Sequence, residues 1–190
     1  MTLMTLLLTH GAGSNRNAPL LVAIERALAE HEVTVIRYDL PFRQARATGP
    51  PRPADGPADR AGLRQQLDSA RTHGGAVWMG GVSYGGRQAS MLAAEAPGAA
   101  DGLLLLSYPL HPPGKPAQLR TAHLPQIQVP TLIIQGSKDP FGSPEEISAA
   151  VELIPARKRL VMLPNAGHDL GRDKTAAVAT IAQEFLNFVR

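Results

Sequence analysis

The chain has 190 residues, 44% of them hydrophobic, which suits a domain with a buried core and excludes a disordered chain. It has no cysteine, so disulfide frames, thiolate nucleophiles and cysteine-bound zinc are ruled out. A net charge of +3 with only 4% aromatic residues argues against a nucleic-acid reader, and the densest basic run, Arg157-Lys158-Arg159, reads as solvated surface.

The chain opens on an apolar run, Leu3 to Thr9. It has no basic leader and no small-residue cleavage site, and it is far short of the ~20 residues a bilayer span needs, so a buried strand is expected. Ala18 to His31 places Leu21, Ile24 and Leu28 on one side of a helix. A second strand follows at Val33 to Asp39. Pro41 to Pro57 is rich in proline and glycine and is expected to be an irregular, mobile excursion. Residues 58–72 have helical spacing. The strand Ala76 to Gly80 leads into a helix over 85–96, and Gly102 to Tyr108 is a fourth strand. Pro109 to Pro130 carries six prolines and stands where a cap could sit, but it is too short for a domain. A fifth strand, Thr131 to Gly136, precedes a helix that starts with a cap residue, a proline and an acid at Ser143, Pro144 and Glu146. Arg159 to Leu163 and the helical stretch 173–189 complete the chain.

Most of the strand runs are continuous rather than alternating, the mark of strands covered on both faces. The expectation is a single α/β domain over residues 1–190, with about six mostly parallel strands, helices on both faces and no large cap domain.

In such a sheet ligands bind beyond the carboxyl ends of the strands. Those positions carry "HGAGSNR", "GGVSYGG", "GSKDPFG" and "NAGHDL". Gly81-Val82-Ser83-Tyr84-Gly85 fits G-x-S-x-G between a strand and a helix, the setting of a nucleophile elbow: a turn so sharp that Cβ atoms two residues either side of the serine would strike neighbouring backbone. A serine hydroxyl needs a base, and His168 is the expected one; Asp139 is expected to orient it. The order Ser, Asp, His is that of the α/β-hydrolase triad. Backbone N–H groups of Ala12 and Tyr84 are expected to hold an oxyanion.

Asp169 and Asp173 compete for the orienting role, but Asp169 is too close to His168 in the chain and Asp173 looks like a helix start. Asp101 precedes its strand and should lie at the opposite edge. His10 is expected to shape its loop. His31, His73 and His123 are expected at the surface or at helix ends. Arg87, one turn after Ser83, and His111, after the fourth strand, are the candidates for substrate contact. No histidine pair has metal-ligand spacing, and the Gly11 loop lacks both G-x-G-x-x-G and a Walker lysine, so neither metal nor cofactor is expected.

The blocks "THGAGS", "GGVSYGGR", "SYPLHPPGKPAQLR", "HLPQIQVPTLIIQGSKDPFG" and "NAGHDL" resemble those of a small α/β-hydrolase of the dienelactone-hydrolase-like group, nearest the compact subfamily of testis-expressed and NSL-complex hydrolase-like proteins. The resemblance covers nearly the whole chain. It departs from dienelactone hydrolases proper in having serine, not cysteine, as nucleophile, and it lacks the first two strands of the full hydrolase sheet. It implies a cytoplasmic, cofactor-independent serine hydrolase acting on small acyl substrates, a monomer or homodimer with no nucleic-acid or membrane partner. Some relatives are subunits of chromatin complexes, so a non-catalytic interaction module is the alternative. A nucleotide-binding doubly wound domain is a third reading.

Overall fold

The computed structural model describes residues 4–171 and 174–190. Six parallel strands, β1 (Met4–Thr9), β2 (Val33–Tyr38), β3 (Ala76–Val82), β4 (Gly102–Leu106), β5 (Thr131–Gly136) and β6 (Lys158–Leu163), form one sheet in the order β2-β1-β3-β4-β5-β6. Helices α1 (Pro19–Ala29) and α6 (Lys174–Val189) cover one face; α3 (Gly56–Arg71), α4 (Tyr84–Glu95) and α5 (Pro144–Glu152) cover the other.

Leucine is a better helix former than strand former, by a few tenths of a kcal/mol against β-branched residues. Burial overrides that preference here. Leu6 and Leu8 pack with Leu104, Leu106, Leu21, Ile24 and Phe185, while Leu7 packs with Leu103, Leu105, Leu63, Leu67 and Ile147. A fully buried leucine is worth about 1.5–3 kcal/mol, and an extended backbone sends alternate leucines to two different helical layers. Among the described residues no helix is long and apolar enough to cross a membrane.

One expectation changes. The excursion 41–57 is not irregular throughout: it contains the short helix α2 (Pro41–Ala45) and a 3-10 turn, Pro53–Asp55, that runs straight into α3. Pro41, Pro53 and Pro57 occupy first-turn positions, where the missing N–H is not needed. The basic run at β6 lies at the surface, as expected, with Arg157 and Arg159 exposed, and it makes surface contacts. Lys158 pairs with Glu152 and Arg159 with Glu184, and Arg157 donates to the Phe188 carbonyl while lying over the Phe188 ring.

The chain leaves β1 for β2 on one side and later places β3 on the other. The carboxyl ends of β1 and β3 therefore flank the topological switch point, the place where open parallel sheets take ligands.

Candidate active site

Ser83 ends β3 and caps α4 with φ +51° and ψ −114°. This is sparsely populated backbone for a non-glycine residue, costing of order 1–3 kcal/mol, and surrounding contacts hold it. Its N–H donates to the Leu106 carbonyl at 2.8 Å and its carbonyl accepts from Arg87 N–H at 2.9 Å. The two flanking glycines are required by close approach: a Cβ on Gly81 would lie 2.6 Å from the Thr9 carbonyl oxygen, and one on Gly85 2.5 Å from that of His10. The β1–α1 loop is thereby pressed against the elbow.

His168 Nε2 lies 2.9 Å from Ser83 Oγ, and its Nδ1 lies 2.8 Å from Asp139 Oδ2. With Nδ1–H donating to the carboxylate, Nε2 is left to accept from the hydroxyl. The loops after β5 and β6 meet because Lys138 N–H donates to the Ala166 carbonyl at 2.8 Å and Asn165 N–H to Ser137 Oγ at 2.8 Å. Asp139 has a fully buried side chain and takes three hydrogen bonds: from His168, from Gln135 Nε2 at 2.8 Å and from Phe141 N–H at 2.9 Å. Phe141 also stacks on the His168 ring, with centroids 4.1 Å apart. Gln135, buried in β5, accepts Tyr108 N–H at 2.7 Å through its other end. Sequence reasoning missed Gln135, although a lone polar residue closing the strand Thr131–Gly136 was a usable signal.

The peptide that carries the Ala12 N–H is fixed by His10. His10 Nδ1–H donates to the Gly11 carbonyl at 2.8 Å, while its Nε2 accepts Leu40 N–H at 3.2 Å. A trans peptide then points the Ala12 N–H away from His10. A Cβ on Gly11 would lie 3.7 Å from Ser83 Cβ, so this peptide runs alongside the nucleophile position. Burial, and less strongly the charge of Arg43, lower the His10 pKa, partly opposed by its bond to Gly11. The neutral tautomer is the one that both hydrogen bonds require.

Arg43, buried on α2, clamps the same loop: it donates to the carbonyls of Ala12 (2.8 Å), Ser14 (2.9 Å), Gly49 (3.0 Å) and Arg46 (3.1 Å). Asp59, with no solvent exposure, accepts Phe42 N–H of α2 at 2.9 Å and the Tyr84 hydroxyl at 2.7 Å. Burial raises the pKa of both Asp59 and Tyr84, and the hydrogen bond between them pulls Asp59 back down. Neither Arg43 nor Asp59 stands out in the sequence, because their partners are distant in the chain.

The other candidates lie around this centre or away from it. Asp169 turns outward to Lys174 and to Gly171 N–H, and Asp101 sits at the opposite edge, bound to Arg71 and Val77 N–H. Asp173 lies outside the described residues. His111 bonds to the Pro112 carbonyl at 2.8 Å and Glu146 at 3.3 Å; these acceptors raise its pKa and occupy both ring nitrogens, so the ring fixes its loop. His123 stands at a helix end, as expected, immediately before the 3-10 turn Leu124–Gln126. It is partly buried against Ser90, 2.8 Å away, with its pKa lowered to about 4 by burial and then by the charges of Arg87 and Arg60. His31 and His73 are exposed. Arg87 is half-buried on the flank of α4 facing the 109–130 loop. Among the described residues no group of three or more His, Asp or Glu is placed to hold a metal ion.

In solved structures the chain is similar to a dienelactone hydrolase from Anabaena variabilis, with 24% identity, a TM-score of 0.77 and coverage of 100% of this chain and 88% of that one. It is also similar to an alpha-beta serine hydrolase homologue from Coxiella burnetii, with 20% identity, a TM-score of 0.76 and coverage of 95% and 84%. A curated relative, the polyketide synthase ThaQ of Burkholderia thailandensis, is 44% identical over 48 residues; the match takes in 25% of this chain and only 2% of that protein. The family described as alpha/beta hydrolase domain matches residues 2–189, so the chain belongs to the alpha/beta hydrolase family.

Proposed function

We propose that the protein is a serine hydrolase that cleaves small carboxylic esters or thioesters through an acyl-enzyme. One observation carries this reading: the unbroken hydrogen-bond chain from Asp139 Oδ2 through both nitrogens of His168 to Ser83 Oγ, at 2.8 and 2.9 Å. Ser83 Oγ attacks the acyl carbon and its proton passes to His168 Nε2. Asp139 keeps Nδ1 protonated and stabilises the imidazolium. The carbonyl oxygen becomes an oxyanion held by the N–H groups of Ala12 and Tyr84, at the positive end of α4. His168 Nε2–H then protonates the departing oxygen or sulfur. Water repeats the sequence on the acyl-enzyme, giving up a proton to His168 and releasing the acid and free Ser83.

The steps use only protein groups and water. The 109–130 segment packs its Leu124–Gln126 turn and His123 against α4 and builds no separate cap domain, which supports small acyl substrates. The motif blocks shared with the testis-expressed and NSL-complex hydrolase-like proteins make that subfamily the finer placement within this proposal.

The test is labelling by a fluorophosphonate probe together with hydrolysis of p-nitrophenyl acetate and butyrate. Wild type is expected to label and turn over, and Ser83→Ala to do neither. Full esterase activity in Ser83→Ala overturns the mechanism. Absence of labelling in well-folded wild type instead supports the non-catalytic interaction module.

A further inference from the structure

Arg87 stands one helical turn from the nucleophile, with a guanidinium that no carboxylate among the described residues pairs with. Its Nε is shielded from solvent and has no hydrogen-bond partner. Other sheltered arginines are satisfied: Arg37 by Glu25, Arg46 by Asp55 and Arg60 by Glu95, with Arg43 spent on backbone carbonyls. Among the described residues, Arg87 is the only arginine withdrawn from solvent whose side chain has no partner.

The 109–130 loop brings up a second such group. Arg120 is partly buried, and its guanidinium donates only to the Pro109 carbonyl, at 3.1 Å; no carboxylate pairs with it. Its backbone is tied down at both ends: Arg120 N–H donates to Leu110, and the Tyr108 hydroxyl donates to the Arg120 carbonyl at 2.7 Å. Burial, and then the charge of Arg87, lower the Arg120 pKa, so the two cations feel each other. Their other neighbours, His123 and the Tyr108 hydroxyl, carry no negative charge, since burial holds His123 neutral and raises the Tyr108 pKa to about 12. Gathering guanidiniums out of full solvent contact without an anion is costly, and Arg87 Nε is left both shielded and unpartnered.

We propose that Arg87, with Arg120 behind it, binds a carboxylate carried by the substrate. The physiological substrates are then esters of dicarboxylic acids with one acid left free. The inference rests on the hydrolase reading above. A guanidinium fork takes a carboxylate by two parallel hydrogen bonds, which gives orientation as well as attraction. Arg87 lies four positions after Ser83, a rise of about 6 Å along the helix axis, so its carboxylate site is one helical turn from the nucleophile.

The experiment compares kcat/KM for the mono-p-nitrophenyl ester of glutaric acid with that for p-nitrophenyl butyrate. Wild type is expected to prefer the anionic ester. In Arg87→Met the ratio of the two values should fall tenfold or more, and in Arg120→Met it should fall by less. Arg87→Lys, which keeps the charge but loses the fork, should lower the ratio severalfold and serves if the methionine variant does not fold. Arg64→Gln removes an exposed charge on α3 and should leave the ratio as it is. An unchanged ratio in both Arg87 variants, or an equal fall in Arg64→Gln, overturns the proposal.

Thermal protection by free glutarate reads the site without turnover. If no ester is hydrolysed but glutarate still protects wild type and not Arg87→Met, the catalytic reading fails and the anion site stands. If butyrate is hydrolysed with no preference for the anionic ester and no protection by glutarate, the anion site fails and the hydrolase stands.

Discussion

Replacing Arg43 with methionine tests whether the loop bearing Ala12 is held in place by a single buried side chain. The arginine donates to four carbonyls, two of them in the loop itself, at Ala12 and Ser14, and two in the segment after α2. Hydrogen bonds from a charged donor are worth about 1.5–3 kcal/mol each, but keeping a guanidinium out of water costs several kcal/mol. Methionine fills much of the volume and leaves the carbonyls to find water. The net destabilisation should be about 2–4 kcal/mol, or a melting temperature lower by roughly 5–15 °C in a domain of this size. Stability alone would not separate structural from functional consequences, so the deciding measurement is kcat/KM for p-nitrophenyl butyrate at a temperature where both proteins are folded by circular dichroism. Losing one oxyanion donor entirely costs about 10²–10³ in rate; a displaced donor should cost about 10–100-fold. The same fall should appear in the rate of fluorophosphonate labelling, because the phosphoryl oxygen takes the oxyanion position. A melting temperature that drops while kcat/KM stays within twofold of wild type would show that Arg43 steadies the fold and does nothing for the Ala12 N–H.

Gln135→Leu removes one of the three donors to Asp139 and the acceptor for Tyr108 N–H. It should lower kcat about tenfold with KM within twofold, the pattern of a misoriented base rather than a damaged binding surface; a KM effect of equal size, or an effect on melting alone, refutes that role. The stability of the protein should also fall as pH drops from 6.5 toward 5, above the range where most carboxylates titrate. His123 stays neutral in the fold down to about 4, whereas in the unfolded chain it takes up a proton near 6.5, so acidification favours the unfolded state. His10 acts in the same direction. His111, whose pKa is raised, acts oppositely: its contribution is present below 6.5 and is lost as pH rises through its folded value. Urea midpoints should show the net loss, and His123→Gln should flatten it; an undiminished slope in that variant refutes the assignment.

The parts of the site that can be read from the sequence are those written in local grammar. Ser83 announces itself because the elbow must place glycine at 81 and 85. Asp139 and His168 are legible because a parallel sheet gathers its chemistry in the loops just past the carboxyl ends of its strands. The illegible parts depend on contacts across the chain. Asp59 looks like any acid in the first turn of a helix, and only the fold sets it between Phe42 and Tyr84, 17 and 25 residues away. Arg43 sits in a stretch whose prolines point to irregular chain; the same residues at Pro41 and Pro57 instead start helices. His123 is legible as a helix-end residue, but its partner Ser90, 33 positions distant, is not. Composition reports which backbones are permitted, whereas burial of a particular polar group is decided by its neighbours.

The site is thus assembled from two supports that meet at Ser83. On the β1 side, His10 and Arg43 set the Gly11–Ala12 peptide while Asp59 ties Tyr84 to the start of α2; on the β5 side, Gln135 and Phe141 hold Asp139, and Phe141 covers His168. On the function proposed above, the first group would set where negative charge is accepted and the second where a proton goes. Their separation comes from sheet order: β1 is a neighbour of β3 on one side, and β4 and β5 lie beyond β3 on the other. The end of β3 lies between β1 on one side and β4 and β5 on the other, so a residue there meets loops from both directions. The strained backbone of Ser83 is therefore fixed from two directions, by the Leu106 carbonyl of β4 and by the Thr9 and His10 carbonyls that press on its flanking glycines. The strain persists because relaxing it would require both supports to move together.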